Sequence, residues 1–74
     1  MEVRITHHAR QRMIERKVSE DEVEVVLAQP EISRIDPSNS SVVYAKTLAG
    51  RRVSVATVFP GKATDPVVVK TVWV

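Results

Sequence analysis

The residues best suited to chemistry are a histidine and two arginines at helical spacing near the amino terminus. His8, Arg12 and Arg16 recur every four residues, so on a helix they lie within an arc of about 80°. Histidine side chains ordinarily titrate near neutrality and can act as acid or base. Arginine guanidinium groups match the oxygens of phosphate and carboxylate. The pattern therefore indicates acid–base chemistry at His8 and anion binding at Arg12 and Arg16.

Each of these assignments has a structural alternative. Arg12 and Arg16 can instead form salt bridges with the acidic residues that follow, which would lock two helices together. His8 can hydrogen-bond a carbonyl or carboxylate at the start of its helix. A metal site is not predicted, because His7 and His8 are adjacent and point to different sides of a helix, and the chain has no cysteine.

A second group of cations falls in the carboxy-terminal half of the chain. Lys46, Arg52 and Lys70 are candidates for binding a phosphate or a protein partner, because alternating strands can present such groups on a common surface. A solvated polar sheet face is the alternative. The three aromatic residues are too few to predict a stacking track for single-stranded nucleic acid. We expect Trp73 to lie in the core or at the edge of a sheet.

Capping residues and periodicity predict the helices that position these groups. Thr6 stands where an N-cap would stand, ahead of an uninterrupted helical stretch over residues 7–16. Ser19 opens a capping box with three acidic residues in the following turn, which predicts a second helix over about residues 20–28. Pro30 ends that helix.

The rest of the chain has the period of β-strands. The strand candidates are residues 32–35, 41–47, 51–59 and 67–74. Their connections have hairpin length, which predicts an antiparallel meander. We therefore expect a single α+β domain over residues 1–74. Two amino-terminal helices, within about residues 6–29, should pack on one face of a three- to four-stranded antiparallel sheet over about residues 32–74.

Composition narrows the classes of function. The 74 residues carry a net charge of +2, but all five charged residues between 18 and 31 are acidic, so the remainder is basic. This segregation favours a basic face that meets phosphate or an acidic partner. No apolar run is long enough for a membrane span or a signal peptide, so we expect a soluble cytoplasmic protein. Two glycines cannot form a glycine-rich phosphate loop, and nothing in the sequence calls for a cofactor.

Over nearly its whole length, the chain resembles a family of short bacterial and phage proteins, the domain of unknown function 4258. The resemblance is carried by Ile5-Thr6-His7-His8-Ala9, by Arg12-Met13 and Arg16, and by the Ser19 helix start followed by Pro30. That family is considered similar to the RelE/ParE-type toxins and to compact ribonucleases. The resemblance implies a RelE-like fold of helices followed by an antiparallel sheet, and RNA as a substrate. His8, Arg12 and Arg16 match the family motif, but no established catalytic role comes with them.

Two functions follow as hypotheses. The first is a binding module for a protein partner, such as an acidic antitoxin, or for nucleic acid. A free sheet edge could accept a strand of the partner. A homodimer could bury the remaining apolar surface. The alternative is a metal-independent endoribonuclease of the toxin type. There His8 would act as acid or base, while Arg12 and Arg16 would hold the phosphate.

Overall fold

The computed structural model describes residues 1–74 and contains two helices and five strands. In chain order these are β1 (Val3–Ile5), α1 (His7–Arg16), α2 (Glu20–Ala28), β2 (Ile32–Asp36), β3 (Ser41–Leu48), β4 (Arg51–Val58) and β5 (Val67–Trp73). Short 3-10 turns over Pro37–Asn39 and Gly61–Ala63 follow β2 and β4. Neither helix has the length and apolar character needed to cross a membrane.

Both helices begin at the predicted caps. The Thr6 hydroxyl accepts a hydrogen bond from the Ala9 amide at 3.1 Å. The capping box at Ser19 is complete, since its hydroxyl accepts from the Glu22 amide at 3.1 Å and its amide donates to the Glu22 carboxylate at 2.9 Å. Helix α1 ends at Lys17, whose φ of 56° is left-handed and stops the helical path. The predicted helices are therefore confirmed.

The sheet differs from the prediction in strand number and direction. Its order is β1-β5-β4-β3-β2, so it has five strands, and β1 runs parallel to β5 with Val3 opposite Val67. The four predicted strands form the expected antiparallel meander, β2-β3-β4-β5. The count of three or four strands and the purely antiparallel sheet were wrong, because β1 adds a fifth strand in parallel. Three residues at the amino terminus have no hairpin partner nearby, and they become a strand only by pairing with the far end of the chain. The α+β class with two amino-terminal helices is confirmed.

Both helices pack on one face of the sheet, here called the covered face. The contacts join α1 to β5, and α2 to β3 and β4. The buried apolar side chains shared by the helices and the covered face are Ala9, Met13, Val18, Val23, Val26, Leu27, Val42, Tyr44, Val53, Val55, Val67, Val69 and Val72. Residues that alternate with these on the strands form the opposite side, here called the open face.

An arginine of β4 connects the two helices to the sheet. The Arg51 guanidinium donates hydrogen bonds to the carbonyl oxygens of Arg16 (2.7 Å) and Lys17, where α1 ends, and lies 3.3 Å from the Glu22 carboxylate. A cation at that position also meets the negative end of the α1 dipole. The Ser19 amide, and then Arg51, hold the pKa of the Glu22 carboxyl below its ordinary value.

The predicted alternative in which Arg12 and Arg16 bridge the helices was wrong. Arg12 pairs with Glu15 of its own helix at 2.8 Å. The salt bridge that links the helices joins Arg10 to Glu20 at 3.2 Å. Arg10 lies 200° around the helix from Arg12 by the helical repeat of about 100° per residue, so it faces α2 while Arg12 does not.

The loop after β4 is held against the sheet by a tyrosine. The Tyr44 hydroxyl accepts a hydrogen bond from the Lys62 amide at 2.9 Å, and the Lys62 ammonium lies 5.6 Å from the centre of the Tyr44 ring. Gly61 is buried, has a φ of 67°, and lies so close to the Tyr44 hydroxyl that a Cβ would overlap it. Only glycine satisfies both the conformation and the close approach.

We expect Gly61→Ala to destabilise the protein by about 3 kcal/mol, because it adds a left-handed strain of about 1–2 kcal/mol to an overlap with Tyr44. Gly50→Ala is the matched control: Gly50 has a φ of 81° in the β3–β4 turn, but nothing lies within 4 Å of its Cβ position. That variant should lose only about 1 kcal/mol. Urea unfolding measures both, and equal losses would show that Tyr44 does not restrict position 61.

We expect Arg51→Met to lower the free energy of unfolding by about 1–3 kcal/mol, because it removes the hydrogen bonds to two helix-end carbonyls and to Glu22 while retaining the aliphatic stem. Arg52→Met makes the same change at the neighbouring exposed position and should alter stability by less than about 0.5 kcal/mol. Denaturant unfolding at neutral pH compares them. Equal effects would mean that the Arg51 contacts do not stabilise the fold.

Candidate functional site on the open sheet face

The six predicted site residues lie in different places. His8, Arg12 and Arg16 lie on α1, and Lys46 lies on the covered side of β3, opposite the core residue Val53. Arg52 and Lys70 lie on the open face. The structure therefore does not gather the six into one site.

The α1 residues form no preorganised catalytic arrangement. His8 is exposed in the first turn of the helix, and no carboxylate or carbonyl hydrogen-bonds its ring. The neighbouring His7 ring meets the Gln11 amide instead, at 3.3 Å. Arg16 is exposed and its guanidinium pairs with no acid, while Arg12 is engaged by Glu15. A general acid or base usually has a partner that orients it, and His8 has none.

The open face contains a pocket of about 310 Å³ at its centre. Small and apolar side chains form the floor, and longer side chains from β2 and β5 form the walls. The pocket is lined by Arg34, Asp36, Asn39, Ser41, Val43, Ala56, Lys70, Thr71 and Trp73. Of the predicted site residues, only Lys70 is in this lining.

A β-bulge directs Lys70 into the pocket. Ala56 of β4 lies opposite Thr71, but the next residue, Thr57, lies opposite Val69, so Lys70 is an extra residue on β5. A bulge of this kind turns two successive side chains towards the same side of the sheet. Val69 and Val72 are both almost fully buried, so both face the core although they are three residues apart. The extra residue of the bulge makes this possible.

The Lys70 ammonium spans the pocket and is held on its far side. Its Nζ donates to the carbonyl oxygen of Asn39 and to the Ser41 hydroxyl, both at 2.7 Å. Ser41 belongs to β3, so the lysine side chain extends from β5 across β4. The short side chain of Ala56, on the β4 segment that lines the pocket, leaves room for this path. The ammonium is fixed in position but has no carboxylate partner, so its charge is available to an anion.

Asp36 is the only acid in the pocket lining, and its own turn stabilises its charge. Its carboxylate accepts hydrogen bonds from the Ser38 hydroxyl at 2.8 Å and from the Asn39 side-chain amide at 2.9 Å. Asn39 first, then Ser38 and the charge of Arg34, hold the pKa of the Asp36 carboxyl below its ordinary value. A carboxylate of lowered pKa is a weak base. Because the lining contains no histidine, the pocket has no general base suited to neutral pH.

The pocket therefore combines two cations, an aromatic wall and an apolar floor. Arg34 forms no salt bridge of its own, and Lys70 hydrogen-bonds only neutral oxygens. Trp73 is partly exposed and can flank a planar group. Such a set can hold an anion and pack an aromatic ring beside it.

Most charges at the depression between the helices are already paired. This depression, of about 440 Å³, is larger than the open-face pocket and lies over the α1–α2 junction. Arg10 there pairs with Glu20, and Glu22 pairs with Arg51. The exposed Ile14 and one unpaired cation, Lys17, remain, whereas the open-face pocket offers two such cations to a charged ligand.

Sequence reasoning missed most of the pocket. Arg34 was not predicted as a site residue, and Trp73 was expected in the core or at a sheet edge, whereas it is partly exposed in the pocket wall. Their relative placement depends on strand order. One signal was present: the valines at positions 67, 69 and 72 break the alternation of a regular strand. That break marks the bulge and places Lys70 and Thr71 together.

The fold and the pocket together define a small α+β protein with helices on one sheet face and a cationic pocket on the other. Residues 5–74 match the family described as Domain of unknown function (DUF4258), and the chain belongs to that family. No curated protein and no solved structure matches the chain.

We expect the hydrogen bond from Asn39 to govern the titration of Asp36. The pKa of the carboxyl is lowered on folding, so ionised Asp36 stabilises the fold fully above its ordinary pKa of 3.8. This contribution is lost as the pH falls through the lower folded-state value. In Asn39→Ala the folded-state pKa should rise towards 3.8, while the Lys70 bond to the backbone of residue 39 is retained.

Carboxyl NMR titration measures this shift directly. Ser33→Ala changes an exposed β2 side chain that forms no hydrogen bond and should leave the Asp36 titration unchanged. An unaltered pKa in Asn39→Ala would show that the side-chain amide does not stabilise the charge.

Proposed function

We propose that the chain is a binding module that holds single-stranded nucleic acid on its open face. The observation that supports this most is the pocket in which Lys70 and Arg34 lie beside Trp73 on a floor of small side chains. Cations bind the phosphate backbone, and an exposed aromatic ring stacks on a base that is not paired. Single strands expose both features at once, whereas a duplex hides the base faces.

The charge of the open face extends this surface beyond the pocket. Arg52 lies on the same side of the sheet, as does Arg4 of β1, which is opposite Val68. Against these stand Asp36 in the pocket and Glu2, which pairs with Arg4. The surplus of cations favours a polyanion that follows the face over a single small anion.

The RelE/ParE-type resemblance of the amino-terminal motif favours RNA over DNA and a cytoplasmic setting, and an acidic antitoxin would be a competing ligand for the same cations.

Cleavage is less well supported than binding. Attack of a ribose 2′-oxygen on phosphorus needs a base and an acid within hydrogen-bond reach. His8 does not line the pocket, and Asp36 is a weak base, so the pocket favours retention of the strand without reaction.

We expect Arg52→Ala and Trp73→Ala to weaken binding to a labelled single-stranded RNA of mixed sequence. Loss of one phosphate contact should reduce the slope of log affinity against log salt by about 0.7. Loss of a stacked base should weaken binding by about 1–3 kcal/mol with little change in that slope. Fluorescence anisotropy across a salt series separates the two effects.

Arg16→Ala is the matched control for Arg52→Ala. Both residues are exposed, and the guanidinium of neither forms a salt bridge, but Arg16 lies on α1. Equal losses from the two variants would indicate general charge attraction and contradict the open-face site. RNA incubated in EDTA should remain intact; cleavage that disappears in His8→Ala would instead support the endoribonuclease.

A further inference from the structure

The outer edge of β2 is an unpaired strand with a self-complementary pattern. β2 is the last strand of the sheet, and its partner β3 lies on one side only. Ile35 is 62% exposed and Ile32 is 45% exposed, although both lie in a strand. The helices pack on β3, β4 and β5, and four of the five β2 residues are exposed, so no helix covers this edge. An exposed strand edge of this kind is a template for another strand.

The register shows which backbone groups of β2 are free. The Phe59 amide donates to the Ser40 carbonyl, and the Ala45 carbonyl accepts from the Glu31 amide. Even-numbered residues of β3 therefore direct their peptide groups towards β4, and odd-numbered residues direct theirs towards β2. Arg34 lies opposite Val43, so it bonds to β3. Its neighbours Ser33 and Ile35 must then direct their amide and carbonyl groups outward.

Two copies of β2 can pair antiparallel in three registers that let these outward peptide groups hydrogen-bond to each other. If Ser33 lies opposite Ser33, Arg34 meets Ile32 and Ile35 meets Glu31. If Ser33 lies opposite Ile35, the two Arg34 side chains face each other, which is unfavourable. If Ile35 lies opposite Ile35, each Arg34 meets Asp36 of the other copy. Only the last register pairs apolar with apolar and opposite charges with each other.

We propose that the chain forms a homodimer through antiparallel pairing of β2 about Ile35. Two hydrogen bonds join the Ile35 peptide groups, the Ile35 side chains contact each other on the covered side, and two Arg34–Asp36 pairs form on the open side. The charges suit this pairing, because Arg34 forms no salt bridge within its own chain and the turn after β2 keeps Asp36 ionised. Pro37 has no N–H to donate and limits the contact to this short segment.

The dimer would have one continuous sheet of ten strands, with the same face of both copies on the same side. Two strands that pair antiparallel within one sheet are related by a two-fold axis perpendicular to that sheet. The open faces of both copies then lie on the same side, and their pockets flank the axis. The dimer does not depend on nucleic acid, so it can be tested with the free protein.

Charge exchange between two variants tests the register. Arg34→Asp alone places two acids opposite each other, and Asp36→Lys alone places two cations opposite each other, so each variant should dimerise at least about tenfold more weakly. A mixture of the two variants should form a heterodimer, because both cross-strand pairs again join opposite charges. Sedimentation velocity of the full chain gives the association, and native mass spectrometry identifies the heterodimer.

Ile35→Lys is a second variant that does not alter the turn after β2. It should abolish the dimer, whereas Ile14→Lys, at a position on α1 that is 78% exposed, should not. Circular dichroism confirms that each variant is folded. A monomer at every concentration, loss of the dimer in Ile14→Lys alone, or a mixture that stays monomeric would overturn the proposal. Because Arg52→Ala and Trp73→Ala lie away from β2, failure of RNA binding and failure of dimerisation are separately visible.

Discussion

One-sided coverage of the sheet is the constraint on which the rest of the structure depends. Two helices of 10 and 9 residues can cover only one face of five strands. The main apolar cluster therefore lies on that side, and Arg51 holds the junction of the two helices over it. The other face must meet water without a second layer, so it carries small residues in the middle and cations around them.

Local chemistry in the sequence predicted the helices and most strands, but not the contacts that join distant parts. Thr6 and Ser19 mark helix starts whatever the rest of the chain does, because their hydrogen bonds are to residues three positions away. By contrast, Val3–Ile5 is a strand only because β5 lies beside it. Nothing local distinguishes Arg51 from the other basic strand residues, because its role depends on α1 ending and α2 beginning at the same place.

The sequence predicted one residue of the pocket, Lys70, but not which residues lie beside it. Lys70 was predicted from the sequence as a strand cation that could bind phosphate or a partner. Its neighbours Arg34 and Trp73 come from β2 and β5, which are separated by two strands in the sheet. Strand order and the bulge at Lys70 decide which side chains share a pocket, and both depend on long-range pairing. The α1 residues formed a persuasive pattern on a helical wheel, yet the wheel does not show whether a partner lies nearby.

Arg34 links the two proposals, and its surroundings show how they can coexist. A guanidinium has several donors, so an Arg34 that pairs with Asp36 across the dimer axis can still donate to a phosphate in the pocket. The Asp36 carboxylate keeps its charge to a lower pH than an ordinary aspartate, because Asn39 and Ser38 hydrogen-bond it. The cross-strand pair should therefore persist across the neutral range. Pairing at β2 would divide the Arg34 donors between Asp36 of the other copy and a phosphate, whereas Lys70 and Arg52, which have no carboxylate partner, would remain fully available to the nucleic acid.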